Sequence, residues 1–145
     1  MTDELKTSLK VAFADTFAFY LKAANYHWNV EGILFPQLHM LLDTIYNEVY
    51  GSVDNFAENI RKVGSYAPAS FTRFSELTTI EDERAVPEAK EMLVQLYQDN
   101  ERVLESIRTA YDYAEQAGEH GLSNFLAERQ DAHRKHGWMI RATLK

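Results

Sequence analysis

Between Leu38 and Val63 the chain places an apolar residue every three or four positions without a break: Leu38, Leu42, Ile45, Val49, Val53, Phe56, Ile60 and Val63. Such a stripe is one face of a helix. Pro36 suits its first turn and Gly64 its end, so the helix runs for about thirty residues, or ~45 Å. Gly51 sits inside it at a propensity cost of roughly 1 kcal/mol, which marks a point of close approach by another backbone or a large side chain.

The rest of the chain follows the same period. From Thr2 to Asn29, Leu5, Leu9, Phe13, Phe17, Tyr20 and Ala24 make one apolar face, with His27 at its end. A third helix is expected from Pro87 through Leu93, Leu96, Tyr97, Val103, Leu104, Ile107 and Tyr111 to Gly118, and a fourth from Ser123 nearly to the C-terminus. Between the second and third, residues 65–85 hold Pro68 and several Ser and Thr, yet Phe71, Phe74, Leu77 and Ile80 call for burial. A crossover containing a short helix fits, long enough to make the second and third helices parallel neighbours. The expected fold is all-α: a four-helix bundle with a short extra helix in the connection between helices two and three.

Composition agrees with one domain spanning 1–145. With 46% hydrophobic residues, a chain of 145 residues buries roughly 70% of its unfolded surface around one core. The apolar runs are interrupted by charges and the N-terminus has no secretory pattern, so no membrane partner is expected. Cysteine is absent, which excludes thiolate metal sites and suits a reducing cytoplasm, the expected location. A formal charge of −7 repels nucleic acid unless the fifteen Lys and Arg residues gather on one surface, and in sequence they do not.

The candidate ligands are His27, His39, Asp43, Asp54 and Glu58. Two imidazoles with three carboxylates suit Fe(II), and the ligand types alone also admit zinc or manganese. On the second helix His39 and Asp43 are one turn apart, as are Asp54 and Glu58, and all four share a face. The two pairs lie fifteen residues apart, or ~22 Å, too far for one metal centre. Antiparallel packing of this helix on its own copy, about an axis near Glu48 and Val49, places residue i opposite residue 97 − i, because 39 plus 58 and 43 plus 54 both equal 97. A centre within a single bundle is disfavoured, since no Glu-x-x-His occurs anywhere in the chain.

These residues resemble a known family, the Dps-like mini-ferritins, named for DNA-binding proteins from starved cells. Tyr26-His27-Trp28-Asn29-Val30-Glu31-Gly32, Phe35, Leu38-His39, Asp43 and Asp54-x-x-Ala57-Glu58 stand in the family's order and spacing, and Trp138 to Ala142 are similar to its last helix. The resemblance covers nearly the whole chain. It implies a hollow dodecamer of two-fold dimers, with His27, His39 and Asp43 from one subunit and Asp54 and Glu58 from the other forming a ferroxidase centre. It also implies oxidation of Fe(II) by hydrogen peroxide in preference to oxygen, storage of ferric mineral, and protection against oxidative stress. Carboxylates crowded together without metal repel and gain protons, so iron loading is expected to weaken in acid.

By the same resemblance Trp28 is a candidate trap for stray oxidising equivalents; its other reading is an aromatic that packs the dimer interface. Glu119, Asn124 and Glu128 fall in the segment that lines the family's three-fold pore, although Asn124 replaces an Asp there and the two glutamates also read as ordinary surface groups. Asn59 stands where the family commonly has Arg, which removes a cation from beside the site. DNA binding is the family trait with least support, since no lysine-rich tail precedes the first helix and Arg134, Lys135, Arg141 and Lys145 read better as a complement to a helix dipole. His133 and His136 read as packing residues or a surface metal pair. The leading function is a ferroxidase and iron store; the alternatives are a DNA-compacting protein with secondary iron chemistry and a structural helical oligomer.

Overall fold

A computed structural model describes residues 2–145, and these form five helices: α1 (Asp3–Asn29), α2 (Phe35–Lys62), α3 (Phe71–Leu77), α4 (Ala89–Gln116) and α5 (His120–Leu144). The Thr2 hydroxyl caps α1 by accepting from the Leu5 N–H at 3.2 Å, and Asp3 and Glu4 in the first turn complement its dipole. α2 begins with Pro36 in its first turn and closes with Arg61 and Lys62 in its last. Gly64 (φ +86°) and Gly118 (φ +70°) then end α2 and α4 in the same way. Each takes the left-handed conformation that lets the next N–H reach back to a late helical carbonyl, Ser65 to Ile60 and Glu119 to Ala114. α4 starts two residues later than its proline suggests, and α5 starts three residues before Ser123.

The four long helices make the expected bundle, with one adjustment. α1 packs on α2 and α4, and α5 packs on α4 and α2. Thus α2 and α4 run parallel but stand diagonally across the core instead of side by side. Leu9, Phe19, Leu42, Ile45, Phe56, Leu96 and Ile107 are fully buried along the axis. Each contributes on the order of 1.5–3 kcal/mol. No helix among the described residues is long and apolar enough to cross a membrane.

The crossover is tied down by polar side chains of α1. Asp15, fully buried, accepts from the Thr78 hydroxyl (2.7 Å), the Thr79 N–H (2.6 Å), the Thr79 hydroxyl (2.9 Å) and the Ser106 hydroxyl of α4. Lys22 donates to the Glu81 carbonyl at 2.8 Å and pairs with buried Asp99 at 2.9 Å. Tyr26 donates to Glu83 at 2.6 Å, and burial together with that carboxylate pushes its phenol well above the usual range. Inside the crossover, Phe74 stacks on Phe17 with ring centroids 4.5 Å apart and Ile80 is buried. Phe71 departs from expectation: it opens α3 on the solvent side and is 87% exposed.

Candidate metal centre

The turn between α1 and α2 decides where the first candidate ligands fall. His27 lies in the last turn of α1 and His39 early in α2, so a five-residue link from Val30 to Leu34 brings the two faces together. Their rings stack with centroids 3.8 Å apart and 13° between planes. Nδ1 of His27 lies 2.8 Å from the His39 carbonyl, and Nδ1 of His39 lies 2.7 Å from the His27 carbonyl. A carbonyl oxygen only accepts, so both Nδ1 atoms carry the proton and donate. With Nδ1 occupied in this way, Nε2 is the nitrogen each ring can offer to a metal ion, the arrangement a ligating histidine needs.

Asp43, one turn beyond His39, is half exposed, and its carboxylate comes within 3.8 Å of the His27 Nε2. Phe35 and Tyr46 flank the stack, at 4.9 Å from the His39 ring and 5.0 Å from the His27 ring. The structure thus brings His27, His39 and Asp43 together as two nitrogen donors and one carboxylate. Asp54 and Glu58 lie exposed further along α2, at least eleven residues from Asp43. Among the described residues no three His, Asp or Glu side chains of one chain converge closely enough to hold an ion.

The remaining candidates are scattered. Trp28 is 62% exposed at the same end of the bundle as His27. Glu119 precedes α5 and is half-buried, whereas Asn124 and Glu128 are exposed within its first three turns, with the Asn124 amide donating to Glu128 at 3.5 Å. These three lie near the end of α2 that carries Asn59, away from His27.

A second constellation lies inside the bundle, where its members had not been expected to meet. Glu48 on α2 receives both terminal nitrogens of Arg129, at 2.7 and 3.0 Å, and Nε2 of His136 at 2.7 Å. His133, fully buried, donates from Nδ1 to the Asn100 side chain at 2.8 Å, while the Asn100 amide donates to the His133 carbonyl at 2.8 Å. Burial would push the Glu48 carboxyl up, but the bonds from His136 and Arg129 and the guanidinium charge hold it well below the usual range. Burial, aided by the Arg129 charge, keeps His133 neutral far below the ordinary imidazole value. Arg129, His133 and His136 recur at helical spacing on α5, and that stripe of polar residues on an apolar face was the available signal. Here the cation position at Glu48 is taken by a guanidinium.

Comparison with known proteins agrees with this fold. The Ferritin-like domain family matches residues 7–145. The DNA protection during starvation protein of Brevibacillus brevis is 28% identical over 132 residues, covering 91% of this chain and 89% of that protein. The crystal structure of Dps from Staphylococcus aureus superposes with a TM-score of 0.93 at 27% identity, covering 99% of this chain and 97% of that one. The Vibrio cholerae O1 Dps structure, described as a member of a broad superfamily of ferritin-like diiron-carboxylate proteins, superposes with a TM-score of 0.92 at 25% identity, covering 97% of this chain and 89% of that one. With the bundle, the crossover helix and the histidine couple all present, the chain belongs to the ferritin-like family as a Dps-like mini-ferritin.

Proposed function

We propose that this protein is a ferroxidase that oxidises Fe(II) with hydrogen peroxide and stores the ferric product inside a hollow dodecamer, limiting oxidative damage in the cytoplasm. His27, His39 and Asp43 of one subunit and Asp54 and Glu58 of its two-fold mate hold the iron. The observation that carries this reading is the His27–His39 couple. The backbone carbonyl of each residue accepts from Nδ1 of the other, which leaves Nε2 of both rings free to bind a cation, that of His27 3.8 Å from the Asp43 carboxylate.

The other half of the centre follows from the outer face of α2. Met40, Thr44, Asn47, Gly51, Asp54 and Glu58 are exposed along it, and an antiparallel copy of the helix sets Asp54 and Glu58 opposite Asp43 and His39. Trp28, Ile33, Met40 and Tyr50 are large apolar or aromatic side chains left exposed on and beside this face, which favours coverage by another subunit. When iron is bound it supplies the electrons. The protein residues orient the ligand lone pairs and place four carboxylate oxygens of the mate where positive charge must be neutralised. The Vibrio relative's diiron-carboxylate description supports iron as the substrate metal, while zinc and manganese draw no such support.

The test is stopped-flow oxidation of Fe(II) by peroxide and, separately, by oxygen, on protein whose solution mass has been measured. Fast oxidation by peroxide on an assembled oligomer is expected. A rate equal to that of free Fe(II) in buffer would overturn the assignment.

A further inference from the structure

A chain of phenol rings starts at the metal centre and leads away from it. Tyr46 lies 5.0 Å from the His27 ring, Tyr20 lies 6.2 Å from Tyr46, and Tyr50 lies 5.0 Å from Tyr20. Tyr46 and Tyr50 are one turn apart on α2, and Tyr20 leans between them from α1. Beyond Tyr20 the ring contacts continue only through Phe17, at 5.5 Å, and then Phe74. Phenylalanine is far harder to oxidise than a phenol, so the oxidisable part of the row has a defined start, at the ligand histidine, and a defined end, at Tyr50. Packing needs alone would be met by Phe at all three positions.

We propose that Tyr46, Tyr20 and Tyr50 form an electron relay that supplies the second electron to peroxide when the centre holds a single Fe(II). The inference rests on the ferroxidase reading above. Peroxide takes two electrons. With two Fe(II) ions present both come from metal, but with one the second must come from elsewhere or hydroxyl radical is released. In the relay the O–O bond breaks as it accepts one electron from Fe(II) and one from the Tyr46 phenol. The phenolic proton and one solvent proton complete two water molecules, leaving Fe(III) and a neutral phenoxyl radical. Transfer of an electron and a proton from Tyr20 and then Tyr50 moves that radical away from the ligands, and a later Fe(II) reduces it, restoring two Fe(II) per peroxide. Tyr46 is the ring in contact with a ligand, whereas Trp28 turns 62% of its surface outward.

The experiment loads the assembled protein anaerobically with one or with two Fe(II) per centre, adds peroxide, and follows Fe(III) formation by absorbance and radicals by freeze-quench electron paramagnetic resonance. A tyrosyl signal is expected at one Fe(II) per centre and its loss at two. Tyr46→Phe is expected to abolish the signal. Tyr20→Phe, in case the first variant assembles poorly, is expected to confine the radical to Tyr46, and mass spectrometry should then find no oxidised Tyr50. Fe(III) formation with a signal that survives Tyr46→Phe, or that is lost only in Trp28→Phe, overturns the relay and leaves the ferroxidase standing. Failure of peroxide to oxidise iron at either loading overturns the ferroxidase reading itself.

Discussion

Two pairs of histidines sit in this bundle and do opposite things. At the end of α1, His27 and His39 satisfy their Nδ1 protons on each other's backbone and leave both Nε2 atoms without a hydrogen bond, that of His27 close to the half-exposed Asp43 carboxylate. In the core, His133 directs Nδ1 at Asn100 and Nε2 towards Arg129, and His136 directs Nε2 at Glu48 while its buried Nδ1 has no hydrogen-bond partner. The first pair is open, whereas the second already faces a cation of the protein, the Arg129 guanidinium. Residue type does not separate a proposed ligand from a structural histidine; what separates them here is whether a positive charge of the protein already sits beside the same carboxylate.

The largest effect should come from breaking the open pair. His39→Ala with Asp43→Ala removes one nitrogen and one carboxylate ligand, and fast peroxide-driven oxidation is expected to fall by ~100-fold or more, since ligands of one centre act as a unit. Stability should drop only about 1 kcal/mol, the contribution of the lost Nδ1 hydrogen bond. Unfolding curves and iron kinetics on the same preparation check both halves. Undiminished iron oxidation would place the centre elsewhere.

Breaking the closed pair should do the reverse. Arg129→Met leaves the Glu48 carboxylate with His136 alone and empties a site in which Arg129 is almost wholly buried. Loss of one partner of a buried pair costs about 3–5 kcal/mol; Glu48 keeps partial access to solvent, so about 2–3 kcal/mol is expected. Urea unfolding measures it, and a neutral outcome would mean the cluster contributes nothing to the fold.

The closed cluster also sets a response to acid. The folded pKa of His133 lies below its unfolded value, so the unfolded chain binds the proton more readily and stability declines as pH falls below about 6.5. Glu48 adds a second decline below the ordinary carboxylate range, because its folded pKa is depressed and its contribution is lost as it gains a proton. Each group contributes at most ~1.4 kcal/mol per pH unit. His133→Gln should flatten the first decline, as read from unfolding free energies near neutrality and at about pH 5. An unchanged profile would show that His133 is not held neutral.

The apolar stripes made the four long helices and the crossover legible, because burying one face of a helix is a local pattern. What joins them was not, since partners of buried polar groups are set by tertiary adjacency: Asp15 bonds Thr78 and Thr79 more than sixty residues away, and Lys22 meets Asp99. Charged residues at 15 and 22 on an otherwise apolar face were the clue. Phe71 failed because hydrophobicity alone does not say which side of a seven-residue helix meets the core. At the candidate site, spacing on α2 flagged four side chains, but the reciprocal bonds that make His27 and His39 good donors depend on two backbone carbonyls and leave no trace in side-chain pattern.

The finest contrast between open and closed regions lies in two glycines. A Cβ on Gly137 would come within 3.0 Å of the Asn100 amide, so that glycine serves the inner cluster. A Cβ on Gly51 meets nothing within its own chain, and the close approach expected there is absent inside the bundle. Taken alone, α2 should gain from Gly51→Ala, by roughly 1 kcal/mol of helix propensity. The proposed antiparallel pairing of α2 with its copy sets Gly51 close to the axis, opposite position 46 of the mate, where an added methyl keeps the helices apart. The expected result is therefore weaker assembly by about 1 kcal/mol despite the propensity gain, seen as a lower mass at dilution and a concentration-dependent Tm. If Gly51→Ala only raised Tm and left the mass unchanged, the outer face of α2 would not be the surface that completes the centre.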